Sequence, residues 1–265
     1  MALLHKLLIA NRGEIALRII RSAKRLGILT VAVYTESERE ALFVRMSDES
    51  VALGKDDLET TFLDIGRMVG IAMSTGCDSV HPGYGFHSEN PDFAVACALN
   101  GLIFVGPDPE VLRLMGNKMA AKELAAGLDI PVAKSRRIDL PFLQVPSDIR
   151  YPVMIKACFG GGGKGMKVVG TSTELRREVE AASRMAQSYF GNGSLFAEEY
   201  ISGARHVEVQ LLGDKTGNIV HLHERECSIQ RNHQKIVEEA PALFLPAELR
   251  NKLFSDSLKI GKALS

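Results

Sequence analysis

Residues 158–166 read CFGGGGKGM, so Gly160, Gly162 and Gly165 spell a literal GxGxxG, and Lys156 stands four residues ahead of the run's first glycine. Backbone without side chains presents N–H groups that can close on phosphate oxygens. Two familiar phosphate fingerprints fail here. A dinucleotide turn must open a helix whose N-terminus receives the pyrophosphate, whereas the strand-like MKVVG comes next. A Walker A loop needs Ser or Thr after its lysine; Lys164 is followed by Gly165, and no glycine stands five residues before Gly163. What remains is a hairpin whose flexible tip can lie over a triphosphate. Four consecutive glycines carry a large ordering entropy, which a purely structural hairpin avoids by using Asn-Gly or Asp-Gly. The plain alternative is a flexible turn.

Lys156 lies in an apolar run, VMIKA, where strand alternation puts it on the face of Met154 and opposite Ile155. Such a lysine either sits at an exposed edge or reaches a buried anion, and the glycine run favours the second. Lys118, at the mouth of a helical stretch, reads by itself as an ordinary solvated lysine. His206 in ARHVEVQLLGD is structural when taken alone. His221 and His223 lie two apart on one strand face, a spacing that suits a metal but is common by chance, and both are read as structural. ERECSIQRNHQKIVEEAP crowds charged residues too densely for a core strand. It is either a solvated loop with weak surface ion pairs or the lining of a site. HPGYGFHSEN follows a strand at its C-terminal end, where open α/β sheets place ligands, and is either a turn or a rim facing a second substrate. Asn90 there can cap the next helix.

These residues need elements to hold them. KLLIA (6–10), the helical GEIALRIIRSAKRL with Ile15, Ile19, Ala23 and Leu26 on one face, and LTVAVY (29–34) form a βαβ unit, with Gly27 ending its helix. VALG (51–54), a helix near 61–74, DSVHPGYGF, a helix near 91–100 and LIFVG repeat the rhythm, which predicts a doubly wound parallel sheet ending near residue 115. NKMAAKELAAGL is a helix stopped by Pro131, and a Pro-containing connector (141–152) follows. YPVMIKA, the glycine run, MKVVG, a helix over 172–187, LFAEEYI and two strands around DKTGN then predict an α+β unit. The closing LRNKLFSDSLKIGKALS is helical, with Leu249, Leu253, Ile260 and Leu264 and no capping signal, and reads as a domain cut in the middle.

Composition excludes some classes. Among 265 residues, 46% hydrophobic and 24% charged, 32 Lys and Arg balance 32 Asp and Glu, so no global field gathers nucleic acid or an anionic membrane. Cys77, Cys97, Cys158 and Cys227 lie far apart with no CxxC pair, which suits a reducing compartment and indicates neither a disulfide framework nor structural zinc. Apolar runs are too short to span a bilayer. The cytoplasm is the default expectation, with a mitochondrial or plastid protein freed of its transit peptide left open.

In order, KLLIANRGEIALRII, HPGYGFHSEN, LMGNK, VMIKACFGGGGKGM, RHVEVQLLGD and ERECSIQRNHQKIVEEAP resemble the biotin carboxylases, over nearly the whole chain. The resemblance implies an ATP-grasp fold of class α/β. It has a Rossmann-like wound domain (1–115), a linker helix and glycine-loop lid (116–200), and the start of a larger domain (201–265). It implies that Lys118 and Lys156 hold ATP phosphates while Gly160, Gly161, Gly162, Gly163, Lys164, Gly165 and Met166 close over them. Glu198, Glu199 and Ile201 would meet adenine, and His206, Gln230 and His233 ribose and phosphates. Lys235 would face bicarbonate and biotin, and Tyr84 and Gly85 would border the biotin pocket. Lys235, His233 and Lys156 would be the catalytic set. The implied reaction is attack of bicarbonate on the γ-phosphate, giving carboxyphosphate, whose CO2 goes to the ureido nitrogen of biotin; cations and Mg²⁺ or Mn²⁺ stabilise the phosphoryl charge. The implied partners are a biotin carboxyl carrier, a carboxyltransferase and a second copy of the subunit, with no nucleic acid or membrane.

The family's metal-binding glutamates would fall beyond Ser265, so the chain is expected to be inactive alone. Three positions depart from the commoner pattern: Lys164 and Asn232 stand for Arg, and His87 for Leu. Lys keeps the charge but loses the planar fork. The alternatives are a noncatalytic nucleotide-binding or assembly module, or another ATP-grasp ligase acting on a different carboxylate. An NAD dehydrogenase is disfavoured, because the NRGE turn carries only Gly13.

Overall fold

The computed structural model describes residues 4–138, 150–159 and 166–264. The chain divides into two compact units, Met1–Leu114 and Met115–Ser265.

In the first unit, β1 (Lys6–Ile9), α1 (Gly13–Arg25), β2 (Leu29–Thr35), α2 (Leu42–Met46), β3 (Glu49–Gly54), α3 (Ile65–Ser74), β4 (Ser79–His81), α4 (Pro91–Leu99) and β5 (Ile103–Phe104) alternate along the chain. The strands form one sheet in the order β3-β2-β1-β4-β5, every pair parallel. Such a sheet is covered on both faces, so its strands are apolar on both sides. Leu7, Ile9 and Ala32 join Ala16, Ile19, Ile20 and Ala23 of α1 and Phe43 of α2 in one core. Leu8, Ala10, Val31, Val33 and Val80 meet Met68, Val69, Ala72, Phe93 and Cys97 in the other.

The buried stripe of α1 therefore differs from the predicted one: Ala16 and Ile20 replace Ile15 and Leu26 at its centre. Leu26 is 75% exposed. It is the C-cap residue, beyond the last turn, and the chain has already swung away through Gly27 at φ +71° into β2. α3 begins at residue 65, later than expected, because Asp64 accepts from the N–H of Arg67 and caps it there. Asn90 caps α4 through the N–H of Asp92, with Pro91 at the first helical position.

The division falls within α5 (Pro109–Gly116). The second unit holds α6 (Lys118–Gly127), capped by Asn117, then β6 (Ser135–Ile138), β7 (Val153–Ala157), β8 (Lys167–Val169), α7 (Ser172–Phe190) and β9 (Leu195–Glu199). The sheet β6-β9-β7-β8 is antiparallel throughout. One face packs on α7: Val153, Ile155, Ala157, Val169, Leu195 and Ala197 meet Leu175, Val179, Ala182 and Ala186. Truncating Ile155, which is fully buried, to Ala costs about 2–5 kcal/mol.

Beyond this sheet, β10 (Val207–Gly213) and β11 (Ile219–Glu226) form an antiparallel ribbon. Asp214 shapes its turn by accepting hydrogen bonds from Thr216 and Asn218, which hold its carboxyl far below the usual range. A small hairpin, β12 (Gln230–Arg231) and β13 (Gln234–Lys235), precedes α8 (Ala247–Ala263). α8 crosses the ribbon at Gly261, where a Cβ would stand 3.0 Å from Ile219 and 3.2 Å from Leu211. The expected leucine stripe is only partly buried, since Leu249 is 45% exposed. Close backbone approach at Gly261 and the ion pair of Arg250 with Glu224 carry much of this contact instead.

Candidate functional site

Two lysines and one carboxylate organise the sheet of the second unit. β7 runs between β9 and β8, so Lys156 is not on an edge; register pairing sets Lys156 opposite Phe196, and Met154 opposite Glu198. The anion that Lys156 reaches is Glu198, whose Oε1 accepts from Nζ at 2.5 Å. The other oxygen of Glu198 accepts from Lys122 of α6. Burial pushes the Glu198 carboxyl up, but the hydrogen bonds and charges of Lys122 and Lys156 outweigh it and hold the group below the usual glutamate range. No motif drew attention to Lys122. Its only sequence signal is position: one turn beyond Lys118, it shares a helix face with that residue.

A cavity of about 510 Å³ opens beside this triad, lined by Lys156, Glu198, Glu199, Ile201, His206, Gln230 and His233 together with Met154 and Arg205. Seven residues singled out in four separate stretches of sequence thus share one concavity. His206 precedes β10, where a strand position was expected, and its N–H donates to Ser228 Oγ. Its Nδ1 lies 2.8 Å from Gln230 Nε2, which also donates to the carbonyl of Cys227. His233 occupies the tip of the β12–β13 hairpin at φ +64°, after Asn232 at φ +51°. Two successive left-handed residues suit Asn better than Arg, which gives the departure at 232 a local backbone reason. Arg205 stacks over Phe244 at 3.8 Å from the ring centre.

Lys235 does not line the cavity; Glu208 links the two. Glu208 accepts from Lys235 at 2.5 Å and from Arg225, and His206 Nε2 lies 3.7 Å away. Glu238 joins through Arg225 at 3.0 Å and Lys235 at 3.8 Å. The crowded ERECSIQRNHQKIVEEAP stretch is therefore neither core nor simple solvated loop. It is an ion-pair network anchored by the buried Cys227. Glu208 was missed in the sequence because it looks like the polar side of an amphipathic strand.

Lys118 opens α6, and its backbone N–H donates to the carbonyl of Cys158, where β7 leads into the glycine run. Met166 is half-buried immediately before β8. Gly160, Gly161, Gly162, Gly163, Lys164 and Gly165 lie outside the described residues. The strands flanking them pair as an antiparallel hairpin, β7 with β8, as MKVVG predicted.

In the first unit, Tyr84 and Gly85 follow β4 at the C-terminal edge of the sheet, beside the loop after β1 where the strand order reverses. Asn11 ties the two loops together, donating to the carbonyls of Pro82 at 2.7 Å and Tyr84 at 2.8 Å. Gly83 faces it so closely that a Cβ would stand 2.7 Å from its Nδ2. Tyr84, 61% exposed, donates its hydroxyl to Glu14. His87 is buried against Phe93, with ring centres 4.5 Å apart, and its Nε2 has no partner among the described residues.

Among the described residues, the side chains give a metal little to hold. His221 stacks on Phe254 at 3.9 Å and His223 meets the same ring edge-on, which accounts for both as packing residues. Among the described residues, the group with ligand atoms close enough together is Glu208, Cys227 and Glu238. Lys235 and Arg225 already occupy both carboxylates, and burial pushes the Cys227 thiol up. Mg²⁺ takes oxygen ligands, so this set does not fit it. A nucleotide fits the cavity better: Met154 and Ile201 offer apolar surface to a base, and Lys156, Arg205 and two histidines offer donors to phosphate.

Residues 3–112 match the family described as biotin carboxylase, N-terminal domain, and residues 117–265 match the carbamoyl-phosphate synthase L chain, ATP binding domain. Similar proteins include the α subunit of mitochondrial methylcrotonoyl-CoA carboxylase of Oryza sativa subsp. japonica, 44% identical over 98% of this chain and 36% of the relative. Mitochondrial pyruvate carboxylase of Rattus norvegicus is 45% identical over 97% of this chain and 22% of its own. Among solved structures, the biotin carboxylase domain dimer of Hydrogenobacter thermophilus 2-oxoglutarate carboxylase, in complex with MgADP, ADP and bicarbonate, superposes with TM-score 0.94. It is 42% identical and covers all of this chain and 59% of the other. The chain thus spans 36% and 22% of the two curated relatives' lengths.

Proposed function

Because the chain belongs to the biotin carboxylase family and has its α/β ATP-grasp fold, we propose that it takes part in the ATP-dependent carboxylation of biotin with bicarbonate, through carboxyphosphate. The observation that carries this reading is the shared cavity in which Lys156, Glu198, His206, Gln230 and His233 converge from stretches far apart in sequence. On this reading residues 1–115 form the wound domain, 116–200 the linker helix and lid, and 201–265 the beginning of the larger domain.

ATP, when bound, supplies the phosphoryl group that activates bicarbonate. The chain's own residues bind and orient it. Lys118 and Lys156 meet the phosphates, and the glycine run 160–165, outside the described residues, is the segment this reading assigns to cover them. Glu199 and Ile201 border the base, while His206, Gln230 and His233 meet ribose and phosphate oxygens. The Gln230–His206 contact fixes the imidazole plane for that task. Lys235, held by Glu208 on the far side of His206, is the cation for bicarbonate and biotin. Tyr84 and Gly85 form the rim for biotin, and Asn11 sets the shape of that rim. Biotin is delivered on a carrier protein, and a carboxyltransferase and a second copy of the subunit complete the working assembly. No described helix is long and apolar enough to cross a membrane.

On this reading the 265-residue chain binds nucleotide without turning it over: the buried carboxylate of the cavity, Glu198, is committed to Lys122 and Lys156, and Glu208 behind His206 is committed to Lys235 and Arg225. Calorimetric titration of the purified chain with ATP tests the site: wild type binds, and Lys156→Ala weakens binding at least about tenfold, or about 1.4 kcal/mol. Equal binding by both would remove Lys156 from the site. Bicarbonate-dependent, biotin-stimulated ATP hydrolysis by this chain, abolished in Lys156→Ala, would overturn the claim that it does not turn over alone.

A further inference from the structure

Lys122 belongs to none of the motifs above, yet it is held by several groups beside the cavity. Its ammonium donates to Glu198 and to the Ala133 carbonyl at 3.1 Å, and it lies 5.9 Å from the centre of the Phe196 ring. Glu198 is 8% exposed and gives one oxygen to each lysine. Two ammoniums and one carboxylate leave a single net positive charge beside the cavity. With Lys156 and Glu198 alone the sum would be zero.

The same geometry bears on what happens when Lys156 turns towards an incoming phosphate. It must leave a carboxylate that is largely out of water, and a buried charge deprived of its partner is strongly destabilising. Lys122 stays on the other oxygen, so Glu198 is not left alone. We propose that Lys122 is a positioning residue that neutralises Glu198 and so releases Lys156 to exchange that carboxylate for a phosphate oxygen of the nucleotide. This rests on the reading that the cavity receives ATP phosphates, and it adds the device that makes Lys156 available to them.

A merely structural role, tying α6 to β9, predicts something different, and a double-mutant cycle separates the two. Four proteins are titrated calorimetrically with ATP: wild type, Lys122→Met, Glu198→Gln, and the double variant, with circular dichroism to check folding. Lys122→Met should weaken ATP binding about tenfold, or about 1.4 kcal/mol, when Glu198 is present. In the Glu198→Gln background the same substitution should cost less than about twofold, because a neutral amide does not compete for Lys156. Lys122→Arg, which keeps the charge, should stay within about threefold of wild type, and it carries the comparison together with the double variant if Lys122→Met fails to fold. An unchanged dissociation constant in Lys122→Met, an equal loss in both backgrounds, or a tenfold loss in Lys122→Arg would overturn the proposal. Failure of the wild type to bind ATP would instead bring down the reading of the cavity, and this proposal with it.

Discussion

Arg250 offers a perturbation whose size follows from the structure. It lies in the first turn of α8, with Nε donating to Glu224 Oε1 at 2.8 Å and Nη2 to the Ala242 carbonyl at 3.0 Å. The Glu224 side chain is wholly buried, and its Oε2 has no protein partner among the described residues. Burial pushes this carboxyl up, while a backbone hydrogen bond and Arg250 more than offset that and hold it below the usual range. Arg250→Met keeps most of the stem's packing and removes the charge together with the hydrogen bonds to Glu224 and the Ala242 carbonyl. It leaves a buried carboxylate without its counter-ion, which costs about 3–5 kcal/mol. Arg250 is itself 29% exposed, so water can reach the gap, and the lower figure of about 3 kcal/mol applies. For a unit of this size each kcal/mol moves the midpoint by about 2–4 °C, giving a fall of about 6–12 °C. Differential scanning calorimetry of the whole chain is the assay: the transition of Met115–Ser265 should move and that of Met1–Leu114 should stay. Glu224→Gln combined with Arg250→Met should recover more than half of the loss, since a neutral amide needs no counter-charge. A single-variant shift under about 2 °C, or a double variant no better than the single, would refute the assignment of this pair as a buried ionic anchor.

Other outcomes follow from the same physics. Glu198 and Glu208 are both held below the ordinary glutamate value of 4.5, so the stability they contribute is complete above that value and is lost as pH falls through their depressed folded values. The urea midpoint of the second unit should therefore drop as pH falls below 4.5 and be flat from about pH 5 to 6. His87 is held neutral by burial, its value lowered from the ordinary 6.5. The unfolded chain takes up that proton first, so the first unit should lose stability as pH falls below 6.5. His87→Leu should reduce that slope in urea titrations, the remainder coming from His81, which burial lowers in the same way, and raise stability at neutral pH by about 1–3 kcal/mol, because the unpartnered Nε2 disappears. Asn232→Arg should lower the melting point by an amount equivalent to about 1–2 kcal/mol, as Arg tolerates φ +51° less well; an unchanged melting point would show that the hairpin tip readjusts freely.

The sequence by itself determined the wound sheet, the caps at Asn90 and Gly27, and the hairpin nature of the glycine run's flanks. These rest on local rules: hydrophobic period, cap chemistry and the conformations open to glycine and proline. Amphipathic period alone mispredicted the buried face of α1, because Leu26 obeys the period but lies beyond the turn that ends the helix. Tertiary structure decided what Lys156 reaches. Strand order makes β7 an interior strand, and antiparallel register with β9 brings Glu198 onto the same face, where α6 supplies Lys122 from 76 residues away in sequence. It likewise turned the dense charges around Lys235 into a network centred on Glu208, and two histidines at metal spacing into partners of Phe254. Charge pairing depends on distances of a few ångströms between residues whose separation along the chain is arbitrary. Sequence specifies which groups are present; the fold determines which of them neutralise one another and which keep a charge to offer a ligand.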